Sequence, residues 1–368
     1  MNFDFKKFAD AIENDLKGNC MGYAFVVSHK DIWVEKRAGG KARTSHNPPA
    51  TDMNTNIRFH TASVSKAITG AALLRALYYK EGIGVDSPFY TMLPKHWKVH
   101  KSVKGVTYKQ LLTHMSGFRF GGGLTYASLK ENIAKGIDTN LINDYQYEGE
   151  NFAIMRLLIP RLAGNTVPQA DNGDSNFDII QAAAYSGAYI NYVNEHLFEK
   201  AELPRLDCKP TAYIDGVCYH FPYNNKAGTA FSDQTLVVGS KGWVMSAAEI
   251  GRFFRTLHFT EKIMPYAISN MMRDESLGYD GNGATPEGVT CYSKGGWFPG
   301  SQNAGELNAL IIGYETDVQV AMIINSELAG GKSMGQIIHA AHDKVYNKTA
   351  KFKKEVLIKK NVVVKKNK

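Results

Sequence analysis

Phe59-His60-Thr61-Ala62-Ser63-Val64-Ser65-Lys66-Ala67-Ile68-Thr69-Gly70 is the stretch on which the reading of this chain turns. Ser63 and Lys66 form an S-x-x-K pair at the head of an apolar run. Ala67, Ile68, Ala71, Leu73, Leu74 and Leu77 recur in it with a helical period, and Gly82 supplies a stop. Residues i and i+3 are neighbours on a helix, so the serine and the lysine share a face. The Ser63 amide falls at the helix start, where free N–H groups and the positive end of the dipole favour an anion. A nucleophile, a base and one oxyanion donor therefore fit within one turn. The same residues also read as an N-capping serine followed by a solvated lysine, and short motifs of common residues recur by chance. The rest of the chain decides between the two.

At 368 residues the chain is long enough to bury a large core and to divide into two lobes. No apolar run approaches the roughly 20 residues of a membrane helix. The start, Met1-Asn2-Phe3-Asp4-Phe5-Lys6-Lys7, lacks the apolar core of a secretion signal, so the expected location is cytoplasmic. The net charge of +8 is uneven: residues 344–368 hold ten lysines and one acid, Glu355, leaving the rest near −1. Residues 351–368 read as a solvated basic tail in which Val356-Leu357-Ile358 and Val362-Val363-Val364 are short strand pieces. Polyanion binding is the alternative, but the tail has little aromatic interleaving and no reading motif, so no specific nucleic-acid partner is expected. Cys20, Cys208, Cys218 and Cys291 show no zinc spacing. Cys208 and Cys218 are placed to bridge one loop, with buried free thiols the alternative that the missing signal favours. H-E-x-x-H, Walker and G-x-G-x-x-G motifs are absent, so neither a metal nor a cofactor is implied.

Along the chain, residues 5–17 form an amphipathic helix with Phe5, Phe8, Ala9, Ile12 and Leu16 on one face. Gly22–Ser28 reads as a buried strand, His29-Lys30-Asp31 as a turn and Ile32-Trp33-Val34 as the return strand. Thr107 caps a short helix through Leu112. His114 reads as a buried histidine tying a loop to the backbone in preference to a base. Residues 177–203 look helical, 309–313 and 318–325 form an apolar hairpin, and a last helix runs from Met334 to about Tyr346.

S-V-S-K followed some fifty residues later by Leu111-Leu112-Thr113-His114-Met115-Ser116-Gly117 resembles the serine β-lactamase-related superfamily. That group includes class C β-lactamases, D-alanyl-D-alanine carboxypeptidases, D-aminopeptidases and β-lactamase-like esterases. Gly22 to Val27 and Asp86 to Pro88 are similar to its opening landmarks. Its Y-x-N motif falls on Tyr147-Glu148-Gly149, with glycine in place of asparagine and Tyr145 as the alternative tyrosine. Its K-T-G motif falls on Lys294-Gly295-Gly296, with glycine in place of threonine.

The resemblance implies an α/β (α+β) fold, an antiparallel sheet flanked by helices with an inserted, mostly helical lobe. Residues 1–75 and 238–350 would form the α/β lobe and 76–237 the helical lobe. It implies catalytic roles for Ser63, Lys66, Tyr147 and Lys294, with Tyr147 partly ionised under the influence of Lys294. The amides of Ser63 and Trp297 would hold the oxyanion. Gly149, Gly295, Gly296, Trp297 and Phe298 would contact substrate, with Tyr292 joining Trp297 and Phe298 in an apolar acyl wall. The expected protein is a serine hydrolase forming a seryl ester, with a small-molecule ester or amide as partner. Because Gly149 and Gly295 remove grips on amides and carboxylates, small acyl esters are favoured. A β-lactamase, a D-amino-acid peptidase or amidase, and a non-catalytic binding member are the alternatives.

Overall fold

The computed structural model describes residues 3–165, 167, 176–299 and 305–346. Among these, the strands are β1 (Gly22–His29), β2 (Ile32–Arg43), β3 (Thr51–Asp52), β4 (Arg58–His60), β5 (Val244–Ser246), β6 (Asn282–Ala284), β7 (Thr290–Phe298), β8 (Leu307–Tyr314) and β9 (Val318–Ile324). The α-helices are α1 (Phe5–Leu16), α2 (Val64–Tyr78), α3 (Tyr108–Leu112), α4 (Tyr126–Lys135), α5 (Glu150–Ala153), α6 (Met155–Leu162), α7 (Phe177–Val193), α8 (Ala247–Phe259), α9 (Tyr266–Asp274) and α10 (Met334–Val345).

Seven strands form one antiparallel sheet in the order β3-β2-β1-β9-β8-β7-β6, and β4 pairs with β5 in a separate ribbon. The two ends of the chain meet where β1 pairs β9, with Val26 opposite Ala321. Side chains alternate across a strand, and here they feed two cores. Ala24, Val26, Ile311, Ala321 and Ile323 join α2 and α8 on one face. Phe25, Val27, Leu310, Val320 and Met322 join Phe8, Ile12 and Leu16 of α1 and Ile337 and Ile338 of α10 on the other. Burial on both faces is why β1, β8 and β9 read as unbroken apolar runs.

Thirteen of the fifteen residues of α2 are buried, so this is a central helix rather than an amphipathic surface one. The capping reading holds at α3, where Thr107 and Gln110 form a reciprocal capping box. Between α2 and β5 the chain contributes helices α3 to α7 and no strand of the sheet among the described residues. Residues 199–234 depart from the helical expectation. Pro204, Pro210, Gly216, Pro222 and Gly228 punctuate them, and Tyr219 Oη accepts the Thr44 amide at 2.7 Å instead. All four cysteines are free and buried, so Cys208 and Cys218 are not bridged. No helix among the described residues is long and apolar enough to cross a membrane. The basic tail at 351–368, with its two valine-rich pieces, lies outside the described residues.

Candidate active site

Ala62 immediately precedes the candidate nucleophile and adopts a left-handed backbone, φ 45°, a conformation costly for a residue with a Cβ. Its neighbours hold it there. The Ala62 amide donates to His60 Nδ1 at 3.0 Å, and both Thr61 N and Thr61 Oγ1 donate to the Trp243 carbonyl, at 2.8 and 2.9 Å. Buried Ser65 secures the same turn by accepting the Trp243 amide at 3.3 Å and lying 3.0 Å from Thr61 Oγ1. Ser63 then starts α2, and its side chain makes no capping bond. Its hydroxyl is left to the two groups that face it.

Lys66 Nζ lies 3.0 Å from Ser63 Oγ and donates to the Ser240 carbonyl at 2.9 Å. Burial, seconded by the positive charge of Lys294, holds its pKa well below the ordinary lysine value. The Ser240 carbonyl is presented by a segment turned inward at three successive residues. Arg156 Nη1 donates to Val238 O at 3.5 Å, Thr69 Oγ1 to Gly239 O at 2.6 Å, and Lys66 to Ser240 O. Gly239 makes this possible: its φ is +104°, and a Cβ there would stand 2.7 Å from Phe152 O. Gly239→Ala is therefore expected to cost roughly 2 kcal/mol of stability. Thermal unfolding checks this, and an unchanged melting curve would mean that the segment relaxes freely.

The hydroxyl of Tyr147 donates to Ser63 Oγ at 2.8 Å. Lys66 Nζ and Lys294 Nζ each lie 5.0 Å from the centre of its ring, and the His114 ring packs on it at 4.5 Å. Partial burial pushes the Tyr147 pKa up to about 12, outweighing the lowering effect of its bond to Ser63. This corrects the expectation of a partly ionised tyrosine: the group is a neutral phenol. Tyr145 stands edge-on to His114, 5.8 Å between ring centres, and it is Tyr147 that reaches the serine. His114 is buried, accepts the Glu148 amide at 3.2 Å through Nδ1, and is held far below the usual histidine range by burial and then by Lys294 and Lys66. It supports Tyr147 as a neutral wall, consistent with its structural reading.

Lys294 projects from β7 and pairs with Asp280, whose second oxygen accepts the Gly295 amide at 2.8 Å. Burial lowers the Lys294 pKa, with Asp280 opposing. Gly296 permits a close approach, since a Cβ there would stand 2.5 Å from Thr61 O and 3.1 Å from Ser63 N. Gly295 has room: a Cβ there would meet nothing nearer than Asp280 Oδ2, at 3.6 Å. The resulting open cleft, about 360 Å³, is lined by Ser63, Tyr147, Asp280, Gly295, Gly296, Trp297, Asn308, Ala309 and Met334.

Two of the expected substrate contacts lie elsewhere. Trp297 is 59% exposed at the cleft. Phe298 packs on Phe231 at 5.1 Å between ring centres, and Tyr292 is buried against His258 and Tyr279. The three-ring acyl wall reduces to Trp297. Gly149 sits at the start of α5, where a Cβ would meet Ser240 Oγ at 2.9 Å and Leu124 Cδ2 at 3.0 Å. Ser240 and Leu124 thus crowd the space that the motif's asparagine side chain would need.

The sequence profile of the beta-lactamase family matches residues 8–333. The chain belongs to the beta-lactamase family. Among solved structures, this beta-lactamase-family chain shares its fold with the octameric penicillin-binding protein homologue from Pyrococcus abyssi. The two are 14% identical with a TM-score of 0.68, over 92% of this chain and 76% of that one. A D-stereospecific amidohydrolase from Streptomyces sp. is 17% identical with a TM-score of 0.63, over 92% and 98% of the two chains. EstCE1, a hydrolase with promiscuous acyltransferase activity, is 14% identical with a TM-score of 0.63, over 92% and 98%. A comparison with curated protein sequences gives no match.

The sequence of this family member brings forward Ser63, Lys66, Tyr147 and Lys294, which the fold gathers at one cleft. It does not bring forward Asp280 or the Ser240 carbonyl. The second is a backbone group and has no side-chain signature. The first is carried to Lys294 by strand pairing. β6 pairs Asn282 with Tyr292 and Gly283 with Cys291, and continuing that register by two residues sets Asp280 opposite Lys294.

Proposed function

We propose that the chain is a serine hydrolase that transfers acyl groups through an ester on Ser63, acting on small acyl esters. The observation that supports this best is the position of Ser63 Oγ, between Lys66 Nζ at 3.0 Å and Tyr147 Oη at 2.8 Å. Burial lowers the Lys66 pKa and so favours its neutral form, which has a lone pair for the serine proton. The Ser240 carbonyl takes one Lys66 N–H and aims that lone pair at Ser63. Ser63 Oγ then attacks the substrate carbonyl carbon while its proton passes to Lys66. The amides of Ser63 and Trp297 receive the developing oxyanion, and loss of one such donor typically costs about 3–4 kcal/mol. Tyr147, as a neutral phenol, gives its proton to the leaving group and regains one from Lys66. Water then cleaves the seryl ester through the same groups in reverse order.

Esters are favoured because neither Gly149 nor Gly295 supplies the side-chain hydrogen bond that the family motifs provide. Sites lose heavily when such a partner is missing. An amide substrate is the second reading, favoured by the neutral Tyr147, which can protonate an amine leaving group; one of the fold relatives is an amidohydrolase. Steady-state kinetics separate the two. For p-nitrophenyl acetate or butyrate, kcat/KM is expected to exceed that for a cephalosporin or a D-Ala-D-Ala peptide at least about a hundredfold, or about 2.7 kcal/mol. Gly149→Asn with Gly295→Thr should narrow the gap, provided the Ser240 hydroxyl rotates out of the new side chain's path. Equal turnover of ester and lactam by the unaltered protein would overturn the ester preference.

A further inference from the structure

We propose that Asp280 sets the charge preference of this cleft, selecting substrates with an ammonium group beside the scissile carbonyl and disfavouring those with a carboxylate there. The inference rests on the reading of Ser63 as nucleophile. Asp280 is the one charged side chain among the described residues lining the cleft. The pair it forms with Lys294 is formally neutral, but the two partners are not equally visible. The Lys294 side chain is 1% exposed and that of Asp280 is 37% exposed. A bound substrate therefore meets the carboxylate, with the cation behind it.

The carboxylate also stands where an anion grip is expected. Asp280 Oδ2 accepts the Gly295 amide at 2.8 Å and lies 3.6 Å from where a Gly295 β-carbon would be. Gly295 occupies the position at which the K-T-G motif carries a hydroxyl. This chain has no hydroxyl there and has a carboxylate oxygen beside the gap, so a neutral hydrogen-bond donor gives way to a negatively charged acceptor. Each carboxylate oxygen has two acceptor sites, and Lys294 and the Gly295 amide each use one, leaving one on each oxygen for a substrate N–H. Asp280 is close to the reacting atoms by a short chain of contacts. It pairs Lys294, whose Nζ is 5.0 Å from the Tyr147 ring centre, and Tyr147 Oη is 2.8 Å from Ser63 Oγ. The exposed Trp297 ring on the same cleft offers a second favourable surface to a cation.

Three methyl esters differing only at the α-substituent test this: alanine (ammonium), isobutyrate (methyl) and the monoester of methylmalonate (carboxylate). Each kcat/KM is divided by that ester's hydroxide-catalysed rate, because an α-ammonium group activates an ester intrinsically. At low ionic strength the corrected ammonium-to-carboxylate ratio is expected to be at least about tenfold in the unaltered protein, as for a partly exposed charge acting at short range. It should fall at least about tenfold in Asp280→Asn, which leaves Lys294 without its counter-charge, and be retained in Asp280→Glu. Because Asp280→Asn strands a buried cation and can weaken the hairpin, the ratio is also read in the unaltered protein at high salt, where it should shrink. A preference for the carboxylate ester in the unaltered protein overturns the proposal, as does a ratio insensitive to both salt and Asp280→Asn while the isobutyrate ester still acylates Ser63. Failure of all three esters to acylate Ser63 would instead remove the hydrolase reading on which the proposal rests.

Discussion

Ser63→Ala is expected to lower kcat/KM for p-nitrophenyl butyrate by at least about 10⁴-fold, the scale seen when a nucleophile acting as part of a unit is removed. The fold should be unaffected. Among the described residues the Ser63 side chain makes no helix cap and has Lys66 and Tyr147 as its partners, so its loss removes no structural bond outside the site there. Ser65 is the natural control, two residues along the same turn. Its hydroxyl is buried and spent on Thr61 and the Trp243 amide. Ser65→Ala should therefore lower stability by about 1–2 kcal/mol and leave substantial turnover. Intact mass after brief exposure to the ester should show an added acyl group on the unaltered protein and on Ser65→Ala, and none on Ser63→Ala. Equal loss of activity in the two variants, or an acyl adduct persisting in Ser63→Ala, would remove Ser63 from its proposed role.

The elements legible in the sequence are those whose signals are local. The α1 face follows from spacing alone, α3 from the capping residue Thr107 before Leu111 and Leu112, and the β8–β9 hairpin from two apolar runs about a polar turn. Ser63 and Lys66 are legible because three residues of helix suffice to bring them together. What stays hidden depends on distant backbone. The Ser240 carbonyl reaches Lys66 only because Gly239 is left-handed and Thr69 and Arg156 hold its neighbours. Asp280 meets Lys294 only through the register of a short strand, β6. The protonation of Tyr147 escapes the sequence for a related reason. The motifs pair it with a lysine, but burial and the Asp280 charge, both products of the fold, push the phenol up. Closeness to Trp297 in sequence points Phe298 at the cleft, yet the fold packs its ring on Phe231, a residue remote in sequence.

Lys66→Met and Tyr147→Phe are each expected to reduce ester turnover by about 10²–10⁴-fold, the usual worth of a positioned proton-transfer group. Their pH signatures should differ. Turnover needs Lys66 neutral, so the unaltered rate rises with pH through the depressed Lys66 pKa. It then stays level until Tyr147 ionises near about 12. The residual rate of Lys66→Met should lack the rising limb, whereas Tyr147→Phe should keep it at a lower plateau. Stability supplies an independent check with a defined sign. Lys66 has its ordinary value of 10.5 when unfolded and a lower one when folded, so the folded state resists protonation. Stability tied to this group is fully present above about 10.5 and declines as pH falls toward the folded pKa, below which the penalty is constant. Lys66→Met, which cannot be protonated, should gain stability relative to the unaltered protein over that window, as measured by urea unfolding at several pH values. A constant stability difference across the window would mean that Lys66 is charged in the folded protein and cannot serve as the base. Near-normal turnover in Tyr147→Phe with an inactive Tyr145→Phe would move the proton donor two residues upstream, against the 2.8 Å contact that Tyr147 makes with Ser63.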